Sequence, residues 1–165
     1  MPGVTDWETR LAELWASFDD LEEQDFLARM DDLVAELPDN DPIGLFERGG
    51  ARDSMGQEDL AVPLYRQALE LGLDGERRRQ AVIQLASSLR NIGNPSESVA
   101  LLAAEQQRGS DDLDDAVAGF LALALADSGR EREAVSVALA ALAPHLPSYQ
   151  RSLGNYARAL VEESN

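Results

Sequence analysis

The sequence contains no cysteine, and each of its 14 basic residues is an arginine. The missing cysteine excludes disulfides, thiolate metal sites and thiol nucleophiles, and the missing lysine excludes a phosphate-loop lysine and a Schiff-base lysine. There is also no apolar run of about 18 residues, the length that spans a membrane. The N-terminal residues lack the basic and apolar regions of a signal peptide. We therefore expect a cytoplasmic protein.

Basic residues are scarce relative to acidic ones, and the formal net charge is −17. Residues 1–41 carry 13 acidic and 2 basic side chains, a net charge of −11, and the remaining residues carry −6. Such a surface repels nucleic acids and anionic membranes. We therefore expect neither as a partner.

Alanine and leucine are abundant and β-branched residues are few, which favours helices over strands. Turn signals divide the chain into nine predicted helices. The second helix is predicted from about Leu21 to Leu37, because apolar residues recur there at helical spacing. Asp41 and Pro42 then form a helix start, with Asp as the N-cap and Pro at the first helical position.

Three segments of the sequence align without gaps, and their shared glycines are Gly56, Gly93 and Gly129. These glycines are 37 and 36 residues apart. Each segment reads as the end of a helix, a tight turn at the glycine, and a second helix with a small residue near its start. Because one helix pair cannot bury its apolar face alone, the pairs are expected to stack.

The repeated segments resemble the tetratricopeptide repeat (TPR) family, in which large and small apolar residues alternate in a fixed order along each helix pair. The pattern is carried by Leu45, Gly49, Ala61, Tyr65 and Ala68 in the first repeat, by Val82, Leu85, Ala86, Leu89 and Leu102 in the second, and by Ala118, Leu121, Ala122, Leu125, Ala134 and Ala141 in the third. Overall the chain is similar to the bacterial stand-alone variant called TPR group five.

This resemblance implies an all-α fold, an α-α superhelix or TPR-like solenoid of about four antiparallel helix pairs followed by a C-terminal capping helix. It implies one domain over residues 1–165. Its parts would be an acidic, degenerate first pair over 1–41, repeats over 42–73, 74–108 and 109–146, and the capping helix over 147–165.

Signals for catalysis or metal binding are weak. His145, the only histidine, lies between two prolines and is interpreted as a loop residue. The acidic segment 110–115 lacks the glycine and the distal glutamate of a calcium loop and is interpreted as a helix start. The arginines 77–79 are expected on a solvated helix face. We expect no enzyme activity, no catalytic residue, no metal and no cofactor.

The TPR resemblance implies a concave groove lined by the first helix of each pair. Arginine and asparagine donors on those helices suit a carboxylate or backbone carbonyls. The candidate peptide-binding residues are Gln80, Ser87, Arg90, Asn91, Arg151, Asn155 and Arg158. Further groove positions are Ile43, Phe46, Gly50, Asp53, Ile83, Ala116, Gly119, Leu123 and Asp127. The carboxylate clamp of chaperone-binding TPRs also uses lysine, so this chain does not match it.

Two functions remain open at this stage. The first is a protein–protein interaction module that binds a peptide or protein segment in the groove. The second is a self-assembling scaffold that dimerises through its terminal helix, so that the protein is a monomer or a weak homodimer. That helix has an apolar stripe, most of which we expect to face the seventh and eighth helices: Tyr149, Leu153, Tyr156 and Leu160.

The first repeat departs from the TPR pattern, because Arg48 and Arg52 occupy positions that are usually apolar. Between them, Gly49 falls at the small-residue position where the partner helix should cross closely. The preceding segment is strongly acidic, so we expect the arginines to pair with nearby carboxylates. The candidates are Asp31, Asp32 and Glu36 of the second helix, and Glu70 and Asp53.

Overall fold

A computed structural model describes residues 4–162, with side chains from residue 6 onward. Within this range the chain forms nine α-helices and two short 3-10 turns, and it contains no strand. The helices are α1 (Val4–Ala16), α2 (Glu23–Val34), α3 (Pro42–Ser54), α4 (Glu58–Glu70), α5 (Gly75–Asn91), α6 (Pro95–Gln106), α7 (Asp114–Asp127), α8 (Glu131–Leu142) and α9 (Gln150–Glu162). The predicted all-α fold is confirmed. The outermost three residues at each end of the predicted domain lie outside the described range.

The turn signals at Asp41 and at the repeat glycines mark real helix ends, whereas α2 spans Glu23–Val34 and is shorter than the predicted helix from about Leu21 to Leu37. The Asp41 side chain accepts hydrogen bonds from the backbone N–H groups of Ile43 and Gly44, at 2.9 and 3.2 Å, and α3 begins there. Each repeat glycine follows a first helix with a positive φ, at 69° for Gly56, 92° for Gly93 and 74° for Gly129. Glycine adopts this conformation without the steric cost that a side chain brings, which is why these positions end helices.

The chain divides into two compact units, Met1–Ala81 and Val82–Asn165, with the division inside α5. The predicted single domain over 1–165 and its internal boundaries stay predictions.

The first unit has an aromatic and aliphatic core. Helix α1 packs on α2, α2 on α3, and α3 on α4. Trp15, Phe18 and Phe26 contact one another, with ring centroids 5.0 to 6.2 Å apart. Gly49 lies against Tyr65, and a Cβ atom at Gly49 would stand 2.7 Å from the tyrosine ring. The predicted close crossing of the helices at Gly49 is therefore confirmed.

Arg48 and Arg52 join α3 to α2 through one carboxylate. Arg48 Nε lies 3.0 Å from one oxygen of Asp31, and Arg52 Nη2 lies 2.9 Å from the other. The predicted pairing with the acidic second helix is confirmed at Asp31. Glu36, another candidate, instead binds Arg10 of α1 through two hydrogen bonds of 2.6 and 2.7 Å.

The second unit packs mainly through aliphatic and small residues. Helix α6 packs on α7, α7 on α8, and α8 on α9. Its buried cluster consists of Ile83, Ala86, Leu102, Val117, Leu121, Leu125 and Ala134. The Ser136 hydroxyl donates a 2.6 Å hydrogen bond to the backbone oxygen of Ala157, which fixes α8 against α9.

The predicted orientation of the terminal helix is wrong for its tyrosines. Tyr149 is 80% exposed and Tyr156 is 70% exposed, while Leu153 and Leu160 are half-buried. The reason is that α9 approaches α8 through a small residue: Ala157 is fully buried and its carbonyl accepts the Ser136 hydroxyl. The alanine face thus meets α8, and the two tyrosines face solvent.

Candidate functional site

Helix α7 in the second unit has an exposed strip although its sequence is almost entirely apolar. Val117 and Leu121 are buried, whereas Leu123 is 47% exposed. An added Cβ atom at Gly119 would meet nothing within 4 Å. Gly119, Leu123 and Asp127 follow one another at four-residue intervals and so lie along one side of the helix. We call these three residues the α7 strip.

The candidate arginine of α5 is joined to this strip. Arg90 Nη1 donates a 2.8 Å hydrogen bond to a carboxylate oxygen of Asp127, and half of the Asp127 side chain is exposed. Ser87 is half-buried and Asn91 is exposed on the same helix. Gln80 lies in the first unit, where its amide donates to Glu76 one turn earlier at 2.9 Å. The structure thus connects Arg90 to the strip, while Gln80 belongs to the other unit.

The candidates on α9 lie together on one exposed side of that helix. Arg151, Asn155 and Arg158 are all exposed, at intervals of four and three residues. The Arg158 guanidinium donates a hydrogen bond to the side-chain oxygen of Asn155. Asn155 is therefore held by its own helix, and Arg151 and Arg158 carry the positive charge of this side.

Two predicted groove positions are part of the core instead. Phe46 is 5% exposed and Ile83 is 6% exposed, so neither side chain is accessible to a ligand. Phe46 packs against the Tyr65 ring at a centroid distance of 6.2 Å, and Ile83 belongs to the buried cluster of the second unit. Apolar side chains at these positions gain more from burial than from exposure.

The single histidine has a partner that its neighbours in the sequence do not indicate. His145 Nε2 lies 2.7 Å from a carboxylate oxygen of Asp115, and both side chains are well exposed. Other members of segment 110–115 bond to the local backbone, as predicted for a helix start: Asp111 accepts from Leu113 N at 2.8 Å. Among the residues with described side chains, no group of three or more His, Asp or Glu is arranged to hold a metal ion.

The predicted solvated face at residues 77–79 is wrong. Arg79 is only 7% exposed, and Arg77 reaches two other helices of the first unit. Its Nη1 and Nη2 atoms donate to the Glu8 carboxylate of α1 at 3.0 and 2.6 Å, and its Nε donates to Glu47 of α3 at 3.1 Å. Helix docking has therefore brought Arg77 into contact with carboxylates that are distant in sequence.

Glu47 completes this arrangement. Its other oxygen accepts a 2.9 Å hydrogen bond from the Trp15 indole N–H, and its side chain is only 6% exposed. We call the four residues Glu8, Trp15, Glu47 and Arg77 the polar clamp. Burial raises the pKa of the Glu47 carboxyl, and this effect exceeds the opposite effects of Trp15 and Arg77. The hydrogen bonds to Glu8 in turn raise the pKa of Arg77.

The polar clamp was missed at the sequence level because its contacts span 30 to 69 residues. One weak signal was available, since Glu47 follows Leu45 and Phe46 within a helix whose neighbouring positions are buried. A carboxylate in such a position requires a partner.

The helix pairs, the glycine turns and the packing of successive helices define an all-α helical-repeat protein. A family model described as "Tetratrico peptide repeat" matches residues 42–160. The chain therefore belongs to the tetratricopeptide repeat family, whose members are generally non-enzymatic protein-interaction modules. No curated protein and no solved structure matches the chain significantly. None of the helices between residues 4 and 162 has the length and hydrophobicity to cross a bilayer.

Proposed function

We propose that this protein binds an extended peptide or protein segment in a concave groove of its second unit, along the α7 strip. The end of α5 and the exposed side of α9 would supply the polar contacts, through Ser87, Arg90 and Asn91 and through Arg151, Asn155 and Arg158. Under this proposal, the protein is an interaction module without catalytic activity. A cytoplasmic location and a bacterial source stay predictions from the sequence.

The observation that carries the proposal is the α7 strip itself. Leu123 leaves nearly half of its surface exposed, and Gly119 has open space beside it. A glycine in an exposed helix interior costs about 1 kcal/mol relative to alanine. A close approach of a ligand backbone would account for a glycine at this position.

The polar groups around the strip suggest how a segment would be oriented. Arg90 already donates to Asp127 and retains further N–H groups, so the pair offers both donors and an acceptor at one end of the strip. Arginines on α9 suit single acceptors such as a carboxylate or a carbonyl. Because the net charge of −17 disfavours strongly acidic partners, we expect a segment with few negative charges.

A peptide library displayed on phage, selected against the full chain, provides the probe. The affinity of a selected peptide is then measured by calorimetry for the wild type and two variants. Gly119→Arg places a large side chain in the open space of the strip and should weaken binding by at least about tenfold, or 1.4 kcal/mol. Ala140→Arg, at an exposed position of α8, is the matched control and should leave the affinity unchanged.

Equal affinities of the Gly119→Arg variant and the wild type would reject the strip as the binding surface. The role of α9 is tested separately with the same peptide. Arg151→Ala combined with Arg158→Ala should weaken binding by several-fold, because both exposed guanidinium groups are removed. If this double variant binds like the wild type, α9 takes no part in recognition.

A second candidate function is self-assembly through α9, and the two exposed tyrosines favour it. Tyrosine is enriched at protein interfaces because it combines a large apolar ring with a polar end. Light scattering at increasing concentration should then show a dimer for the wild type and a monomer for Tyr149→Ser/Tyr156→Ser. Val135→Ser, at an exposed apolar position of α8, is the control and should remain dimeric. A wild type that stays monomeric at high concentration rejects this candidate.

A further inference from the structure

The polar clamp joins three helices of the first unit at one place. Helix α1 contributes Glu8 and Trp15, α3 contributes Glu47, and α5 contributes Arg77. These four side chains make hydrogen bonds that connect α1 to α3 and α5, and the apolar residues of α1 share a buried cluster with residues of α2 and α3. The clamp therefore adds polar contacts between α1 and the helices α3 and α5.

The charges of the clamp do not balance. When both glutamates are ionised, two carboxylates share one guanidinium, and the cluster carries a charge of −1. Arg77 directs two of its N–H groups at Glu8 and one at Glu47. Glu8 is 37% exposed and has access to water, whereas Glu47 is 6% exposed. The less compensated negative charge is thus the more deeply buried one, which is costly.

Three side chains act on the charge of the Glu47 carboxyl: Trp15 is neutral, Arg77 is positive and Glu8 is negative. The Tyr65 hydroxyl of α4 donates at 3.1 Å to Asp53, a second carboxylate of α3. Glu8 of α1 repels the ionised form of Glu47 and contributes to its raised pKa, although burial is the larger cause. Trp15 contributes a neutral donor, so Arg77 supplies the positive charge of the clamp.

We propose that the contacts of the polar clamp depend on protonation. They hold α1 more tightly to α3 and α5 when Glu47 carries a proton. A proton taken from solvent onto a Glu47 oxygen makes the cluster neutral. A proton on Oε1 leaves Oε2 to accept from the Trp15 N–H and costs the hydrogen bond from Arg77 Nε, while the two hydrogen bonds from Arg77 to Glu8 persist. When the proton leaves, the buried charge returns, and water reaches it most readily if α1 moves away from α3.

The direction of the pH dependence follows from the raised pKa. A carboxyl whose pKa is raised in the closed state binds its proton more tightly there than in the open state, so proton uptake favours closure. The hold on α1 therefore strengthens as pH falls through the pKa of Glu47 and weakens as pH rises above it. Trp7 donates to the Leu33 backbone oxygen at 2.9 Å, which keeps α1 on α2 during this change.

Hydrogen exchange of the α1 backbone amides in the full chain measures how tightly α1 is held. After correction for intrinsic exchange rates, α1 protection should rise several-fold as pH falls through the pKa of Glu47. Both tryptophans of the sequence, Trp7 and Trp15, lie on α1, so tryptophan fluorescence provides a second, independent readout. Glu47→Gln removes the titratable charge and leaves one acceptor oxygen for the two N–H donors, so its α1 protection should not depend on pH.

Two further variants make the test decisive. Glu36→Gln removes the exposed carboxylate that binds Arg10 between α1 and α2, and it should retain the pH dependence of the wild type. Glu8→Gln leaves Arg77 to Glu47 alone, which should move the transition to lower pH. A wild type without pH dependence, a Glu47→Gln variant that titrates like the wild type, or an unmoved transition in Glu8→Gln would each overturn the proposal.

Discussion

The two units use the same helix-pair pattern with different packing chemistry. The first unit contains six of the nine aromatic residues, and four of these six are buried. In the second unit Phe120 is half-buried, while Tyr149 and Tyr156 are exposed. The buried cluster of the second unit consists of isoleucine, leucine, valine and alanine residues. One architecture can therefore be stabilised either by large rings between helices or by small residues that allow close helix approach.

Polar contacts follow the same division. In the first unit large side chains carry polar groups that need partners, so Trp7 donates to Leu33 and Trp15 donates to Glu47. In the second unit a serine hydroxyl donates to the Ala157 carbonyl across two close helices. Buried tyrosine and tryptophan require such partners, whereas alanine requires none. The side-chain pairs between distant residues therefore reach a buried carboxylate in the first unit, at Glu47, whereas in the second unit the pairs of Arg90 with Asp127 and of His145 with Asp115 lie at the surface.

The largest expected effect concerns the aromatic cores. Phe26 is fully buried, so Phe26→Ala should lower the free energy of unfolding by about 3–5 kcal/mol. Phe120 is half-buried in the second unit, and Phe120→Ala should cost roughly half as much. Urea unfolding followed by circular dichroism measures both. If both variants lower the free energy of unfolding equally, the different aromatic content of the two units does not affect their stability.

A matched pair of helix-interior glycines gives effects of opposite sign. Gly49→Ala places a Cβ atom 2.7 Å from the ring of Tyr65, which is fully buried and hydrogen-bonded to Asp53. The resulting overpacking should destabilise the protein by about 1–2 kcal/mol, even after the gain in helix propensity. Gly119→Ala meets open space and should stabilise it by about 0.5–1 kcal/mol. Thermal unfolding of the two variants should therefore show midpoints on opposite sides of the wild type.

A smaller effect is expected at the join between α2 and α3. Asp31→Asn removes the charge that Arg48 and Arg52 share, and these side chains are only partly exposed. The cost should be about 1 kcal/mol, the upper end for such pairs. Arg130→Gln breaks an exposed pair with Glu133 in the second unit and should leave the stability unchanged in the same urea titration. A neutral Asp31→Asn variant would mean that the arginines contribute only their apolar stems.

Neighbouring residues of α3 differ in how well the sequence predicts their contacts. The turn glycines were predictable because a tight turn needs a positive φ, which is a local requirement. Gly49 was predictable because the repeat has a small residue at the position where two helices cross. The pairing of Arg48 and Arg52 with α2 was predictable because the preceding segment is so acidic. Glu47, one residue from Arg48, gave no comparable signal, because its partners lie 30 and 32 residues away.

At the candidate site, too, the sequence predicts some exposed positions correctly and others wrongly. The exposed positions of α7 and α9 followed from the repeat register, which places Gly119 and Leu123 on the free side of their helix. The same register placed Phe46 and Ile83 on that side, and both are buried. Register fixes the direction of a side chain only approximately, and the neighbouring helices decide whether an apolar side chain at the edge of a face is covered.

The sequence by itself determined the nine helices, their turns, the repeat and the family, since these depend on propensities and spacings within about forty residues. Only the tertiary structure decided which helix faces became covered. It placed Ala157 rather than the tyrosines against α8, and it brought Arg77 to Glu8 and Glu47. These outcomes depend on the competition between burial of apolar surface and satisfaction of buried charges. That competition is resolved only when distant helices meet.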